Sequence, residues 1–184
     1  MISQQAQDAL DFIVTGALKN ALSASPDDHC EIEALSDVGD IKERKAVMLT
    51  VSSYLFRVVT LIYFTLNNDT QQHFAAINRA EPETMGESDY LDVIGECGNI
   101  FCGALNRELA HHFPHLGMST PNVLDRECVN YLHELEAGYI KHFKITINYA
   151  LTLHASLCVC DFADIDFTVD MTQTEESNGE LEMF

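Results

Sequence analysis

The chain reads as a single α+β domain in which an antiparallel sheet packs against helices, and three observations predict this. Residues 3–22 and 87–113 repeat apolar side chains every three or four positions, the spacing of a helix with one buried face. Residues 46–51, 56–66 and 143–162 are instead rich in β-branched and aromatic side chains, part of the last stretch in strict alternation. At 184 residues and 47% hydrophobic content the chain is one domain long with ample material for a core. No internal repeat marks a second domain.

The elements follow in order. Ala6, Leu10, Ile13, Ala17 and Ala21 line one face of a first helix that stops before Ser25-Pro26. The acidic stretch 27–40 has room for a short strand around Ile32. Two antiparallel strands, 46–51 and 56–66, are separated by Ser52-Ser53, and Asp69 is positioned to cap a helix running to Ala80. Thr84 and Glu87 have the form of a capping box for the helix 87–113, with Asp89 and Asp92 near its positive end. Tyr90, Ile94, Cys97, Phe101, Leu105 and Leu109 make its buried stripe. Phe143, Ile145, Ile147, Tyr149 and Leu151 then alternate with polar or small residues as in a half-buried strand, and a further strand runs over 154–162. No Gly or Pro separates the two, so a bend or bulge is expected between them. Residues 1–169 form the predicted domain. Residues 170–184, with five acids and no base, are read as a disordered tail.

Charge narrows the partners. A net charge of −19 with only ten Lys and Arg repels phosphate backbones and anionic lipid, so neither nucleic acid nor a membrane surface is an expected partner. No apolar run approaches the roughly 20 residues of a membrane span, and no N-terminal basic-then-apolar signal is present. Cys30, Cys97, Cys102, Cys128, Cys158 and Cys160 show no Cys-x-x-Cys spacing and are read as reduced, mostly buried thiols of a cytoplasmic protein.

The chemical signal lies on the far side of the helix 87–113. Asp92, Glu96, Asn99, Gly103, Asn106 and Ala110 form a polar or small stripe opposite the apolar one. Residues three apart point the same way, so Glu96 and Asn99 can meet one partner together. Asp92, Gly103 and Asn106 are the candidate partner contacts around them. Each of Gly95, Gly98 and Gly103 costs about 1 kcal/mol relative to Ala in a helix interior, which asks for a reason. Gly98 lies toward the apolar stripe, where it suits close packing, and Gly103 lies where another backbone could come near.

The run from Ile94 to Gly103, followed by Met118-Ser119-Thr120-Pro121-Asn122, resembles the CheC/CheX/FliY chemotaxis phosphatases. The signature of those proteins is Glu-x-x-Asn on a helix, a Gly four residues after the Asn, and a Ser-x-Pro segment leading into a strand. Glu96, Asn99, Gly103, Ser119 and Pro121 match it; members usually have Asn directly after the Gly, where this chain has Ala104. The matching stretch covers about a fifth of the chain, with a looser likeness over residues 2–167. Glu127 and Asn130 repeat the spacing without the Gly and are read as a decoy. The first helix, with Asp11 and Asn20, carries no such pair, so the resemblance is to the single-site, CheX-like type.

That resemblance implies a CheX-like fold, a homodimer, and hydrolysis of the aspartyl phosphate on a CheY-like response regulator. Mg²⁺ would come from the regulator, with no cofactor or metal ligand from this chain. Asn99 would hold the attacking water, and Glu96 would pair with the regulator's Lys. The rival reading is a non-catalytic adaptor that binds a receiver domain through the same helix. Ser119 and Pro121 are read as shaping the start of a strand. His111, His112 and His115 suit a helix C-terminus better than a metal, and a metal-responsive module ranks below both other readings.

Overall fold

The computed structural model describes residues 1–172, so most of the acidic stretch 170–184 lies outside the described residues. Helix α1 (Gln4–Leu22) begins at Ser3, whose hydroxyl accepts from Ala6 N at 3.1 Å. Strands β1 (Cys30–Leu35), β2 (Lys45–Ser52) and β3 (Phe56–Phe64) precede helix α2 (Asn68–Ile77). The long helix α3 (Glu87–Ala110) leads to β4 (Gly117–Met118) and β5 (Asn122–Asp125), and β6 (Tyr139–Ile147) and β7 (Leu151–Asp161) close the fold. Two 3-10 helices, Pro82–Thr84 and Arg126–Leu135, fill the connections. The strands form one antiparallel sheet in the order β1-β6-β7-β3-β2, with β4 and β5 both paired to β2 at its far edge.

Alternation along the strands gives the sheet two different faces. Val47, Leu49, Val58, Ile62, Phe143, Ile145, Leu153 and Leu157 point to one side and pack beneath α1, α2 and α3. Val59, Leu61, Tyr63 and Cys158 point to the other, where residues 36–44 and the helix Arg126–Leu135 cover them with Ile41, Val129 and Leu132. The predicted stripe of α3 is the buried one, with every member from Tyr90 to Leu109 at most 4% exposed. Burying each of its larger side chains stabilises the fold by roughly 2 kcal/mol.

Several boundaries differ from expectation, each for a local reason. Thr84 belongs to the 3-10 helix, its hydroxyl donating to Glu81 O, and α3 starts at Gly86, whose N–H donates to Asp89 Oδ2 at 2.9 Å. The helix ends at Ala110 rather than Phe113. Helix α2 is capped by Asn67, not Asp69: Asn67 Oδ1 accepts from Thr70 N, and Thr70 Oγ1 accepts from Asn67 N. The alternating stretch 143–152 is two strands joined by a tight turn, so Tyr149 is 77% exposed and Leu151 opens β7. Asn148 and Tyr149 take φ of 51° and 58°, the left-handed pair of a type I′ turn normally filled by Asn-Gly. Asn148 holds it, accepting from His29 N at 2.9 Å and donating to Asp28 Oδ1 at 2.9 Å, while Tyr149 stacks on His29.

Two part-buried imidazoles make stability depend on pH. His73 Nε2 lies 2.8 Å from Leu22 O and ties α2 to the end of α1; His142 Nδ1 lies 2.7 Å from Ser156 Oγ. Burial pushes both imidazoles below the usual histidine range. The unfolded chain therefore takes up these protons first. Their contribution is complete above about pH 6.5 and is lost as pH falls toward the depressed folded values. Urea unfolding between about pH 7 and 5.5 should show a falling midpoint, with a shallower slope in His73→Gln. An unchanged slope would remove His73 from the account.

Candidate functional site

Helix α3 lies over β2 because Gly98 lets it. A methyl group there would come within 3.1 Å of Leu49 Cδ1 and 3.3 Å of Val47 Cγ2, closer than side chains normally pack. The buried stripe therefore sits hard on the sheet and turns the opposite stripe outward. A Cβ at Gly95 or Gly103 would meet nothing within 4 Å. Gly95→Ala and Gly103→Ala should each raise stability by about 1 kcal/mol, whereas Gly98→Ala should lower it by about as much. Urea denaturation of the three variants checks this, and a stabilising Gly98→Ala would contradict the packing account.

On the outward stripe Glu96 and Asn99 are exposed, and Asn99 Nδ2 donates to Glu96 Oε2 at 3.1 Å. This bond orients both side chains. Among the described residues Asn99 Oδ1 and Glu96 Oε1 have no other hydrogen-bond partner, leaving an amide acceptor and a carboxylate oxygen side by side on the outward face. Asp92 is exposed beside them, and Gly103 opens a bare patch of backbone one turn on. Asn106 differs: its Oδ1 is buried with no hydrogen-bond partner among the described residues, so that oxygen is withdrawn from the outward stripe. Ile100, 39% exposed, and the exposed Arg107 also face outward, and Met118 on β4 is 57% exposed. Four-residue spacing from Glu96 and Gly103 already carried the signal for the first two.

The stretch after α3 braces this edge. Between β4 and β5 the ladder to β2 would break at Thr50, but Ser119 Oγ accepts from Thr50 N at 3.0 Å and Ser119 N donates to Thr50 O at 2.9 Å. Pro121 then leads into β5. Both residues hold backbone, as expected of a strand start. The thiols of α3 are poor nucleophiles: burial pushes Cys97 up to about 11 and raises Cys102 as well. The decoy pair Glu127 and Asn130 sits on the 3-10 helix across the sheet. On α1, Asp11 is already occupied, accepting from Tyr139 Oη at 2.7 Å with Lys141 Nζ 3.6 Å away. His112 packs on Phe167, and among the described residues no group of three or more His, Cys, Asp or Glu side chains is placed to hold a metal ion. No helix among them is long and apolar enough to cross a membrane.

A single-domain antiparallel sheet packed against helices is the α+β architecture of the CheX-like fold, and the chain has it. Solved structures with this fold include the chemotaxis protein CheX from Vibrio vulnificus, at 17% identity and TM-score 0.60 over 81% of this chain and 99% of that one. CheX of Borrelia burgdorferi, solved as a CheX-CheY-BeF3-Mg²⁺ complex, matches at 10% identity and TM-score 0.59 over 84% and 97%. A CheC-like superfamily protein from Shewanella sp. PV-4 matches at 13% and 0.55 over 85% and 98%. At such identities the likeness is one of fold. By sequence, no family model and no curated protein matches the chain.

Proposed function

We propose that the chain is a member of the CheC/CheX/FliY family, nearest the single-site CheX type, and that it hydrolyses the aspartyl phosphate of a CheY-like response regulator. The observation that carries this is the exposed, mutually bonded Glu96–Asn99 pair on the outward face of α3. The complex of the Borrelia protein with CheY supports a partner of that kind. An acyl phosphate is already activated, so positioning a water in line with phosphorus is the step left to the phosphatase. Asn99 Oδ1 accepts a hydrogen bond from that water and directs its lone pair at phosphorus. Glu96 pairs through Oε1 with a lysine ammonium of the regulator and fixes the docked orientation. Mg²⁺ is the regulator's, and it neutralises charge on the phosphoryl oxygens. Asp92 and Gly103 contact the regulator's surface, Asn106 supports the end of that face, and the protein works in the cytoplasm as a homodimer.

The test is the decay rate of aspartyl phosphate on purified CheY-like regulators with Mg²⁺, in the presence and absence of this chain. Acceleration abolished in Asn99→Ala supports the phosphatase. Binding with unchanged decay would replace it with the adaptor. Gly103→Ala adds a second check, since it should stabilise the fold yet weaken regulator binding if backbone approaches there.

A further inference from the structure

The chain's positive charge is not spread evenly. Four of its ten Lys and Arg residues, Lys42, Arg44, Lys45 and Arg126, gather where residues 42–45 meet the start of the helix Arg126–Leu135. Lys42, Glu43, Arg44, Asp125, Arg126 and Glu127 line a cleft of about 600 Å³ there. The Glu96–Asn99 pair has no part in it.

The carboxylates in this cleft are largely committed. Glu43 spends Oε1 on His154 at 2.6 Å and Oε2 on Lys42 N at 2.9 Å, and Asp125 is paired with Lys45 at 3.1 Å. Two of the cations are not. Lys42 Nζ donates to Gly39 O, but Arg44 and Arg126 have no ion pair among the described residues, and Arg126 Nε is buried without a hydrogen-bond partner. Two uncommitted guanidinium groups, Arg44 and Arg126, thus face one uncommitted carboxylate, Glu127, on a molecule whose net charge is −19. Such a spot concentrates field in a concave, partly desolvated wall.

We infer that this cleft binds an acidic peptide segment of a protein partner. Guanidinium groups suit carboxylates because they offer paired donors in a plane. The neighbouring acceptor Glu127 decides between ligand classes. A peptide brings backbone N–H donors for it along with spaced carboxylates, whereas a polyphosphate brings only further negative charge. The cleft adjoins β2 and β5 and is separate from the outward face of α3, so this inference stands or falls independently of the phosphatase.

Fluorescence anisotropy of a labelled peptide alternating Glu and Ser, titrated with the full chain, tests it. Saturable binding that weakens with salt is expected, falling about tenfold in Arg44→Glu, an exposed position where folding is undisturbed. Arg126→Gln should also weaken binding, with circular dichroism reporting its folding separately. Failure to bind, or binding indifferent to Arg44→Glu, would overturn the inference. So would tighter binding of inorganic polyphosphate or single-stranded RNA than of the acidic peptide, which would make the cleft a phosphate site.

Discussion

Asn99→Ala is expected to slow aspartyl-phosphate decay to near the regulator's unassisted rate, a loss of about a hundredfold, corresponding to about 3 kcal/mol of transition-state stabilisation for one positioned polar group. Regulator binding should persist, because the proposed role of Asn99 is on the water and the proposed docking contacts lie elsewhere on α3. Glu96→Ala should instead raise KM with a smaller fall in kcat, since its free oxygen is assigned to orientation. It should also loosen Asn99, whose Nδ2 it holds at 3.1 Å, so some loss of kcat is built into the geometry. The two effects are therefore coupled, and the double variant should lose less than the sum of the singles. Asn99→Asp separates positioning from mere polarity: it keeps an acceptor but loses the Nδ2 donor and sets a second carboxylate against Glu96. Equal activity in Asn99→Asp and wild type would contradict the arrangement.

How much of this was legible in the sequence depends on how local the cause was. The buried stripe of α3 and the outward position of Glu96 and Asn99 follow from the 3.6-residue period alone, and both stand in the structure. The role of Gly98 was legible as a direction, toward the apolar side, though only the structure shows Leu49 and Val47 against it. The turn after β6 was not legible, because its left-handed residues are Asn148 and Tyr149, and the hydrogen bonds that hold Asn148 come from residues about 120 positions earlier. The withdrawal of Asn106 Oδ1 was hidden for the same kind of reason, since helical phase places it near the outward stripe and tertiary packing takes it in. The cation cleft joins residues 42–45 with 125–127, two short segments that no periodicity connects. Short-range patterns gave the face that bears the pair; the braces and the second surface come from long-range closure.

The same long-range closure supplies the largest expected effect on stability. Glu43→Ala should destabilise the fold by about 3 kcal/mol, because it leaves a buried ring nitrogen of His154 without its partner. Glu43 and His154 are 8% and 7% exposed and 111 residues apart in the chain, and their 2.6 Å bond pins residues 36–44 over the second face of the sheet. Lys42 N loses its acceptor in the same variant. Glu43→Gln keeps one oxygen to accept from Lys42 N and an amide N–H to donate to a neutral ring nitrogen of His154, and should cost less, while His154→Ala should cost about as much as Glu43→Ala. The exposed pair of Lys144 and Glu33, 3.4 Å apart, gives the contrast: Glu33→Ala should change stability by no more than about 0.5 kcal/mol. Urea denaturation of this set settles the comparison, and equal effects at Glu43 and Glu33 would show that the buried pair is not what holds the segment. Because Glu43 acts on the face of the sheet opposite α3, Glu43→Ala should leave the phosphatase kcat near wild type at temperatures where it remains folded. Loss of stability with kcat retained is the reverse of what Asn99→Ala should do, and the two variants together separate the scaffold from the chemistry.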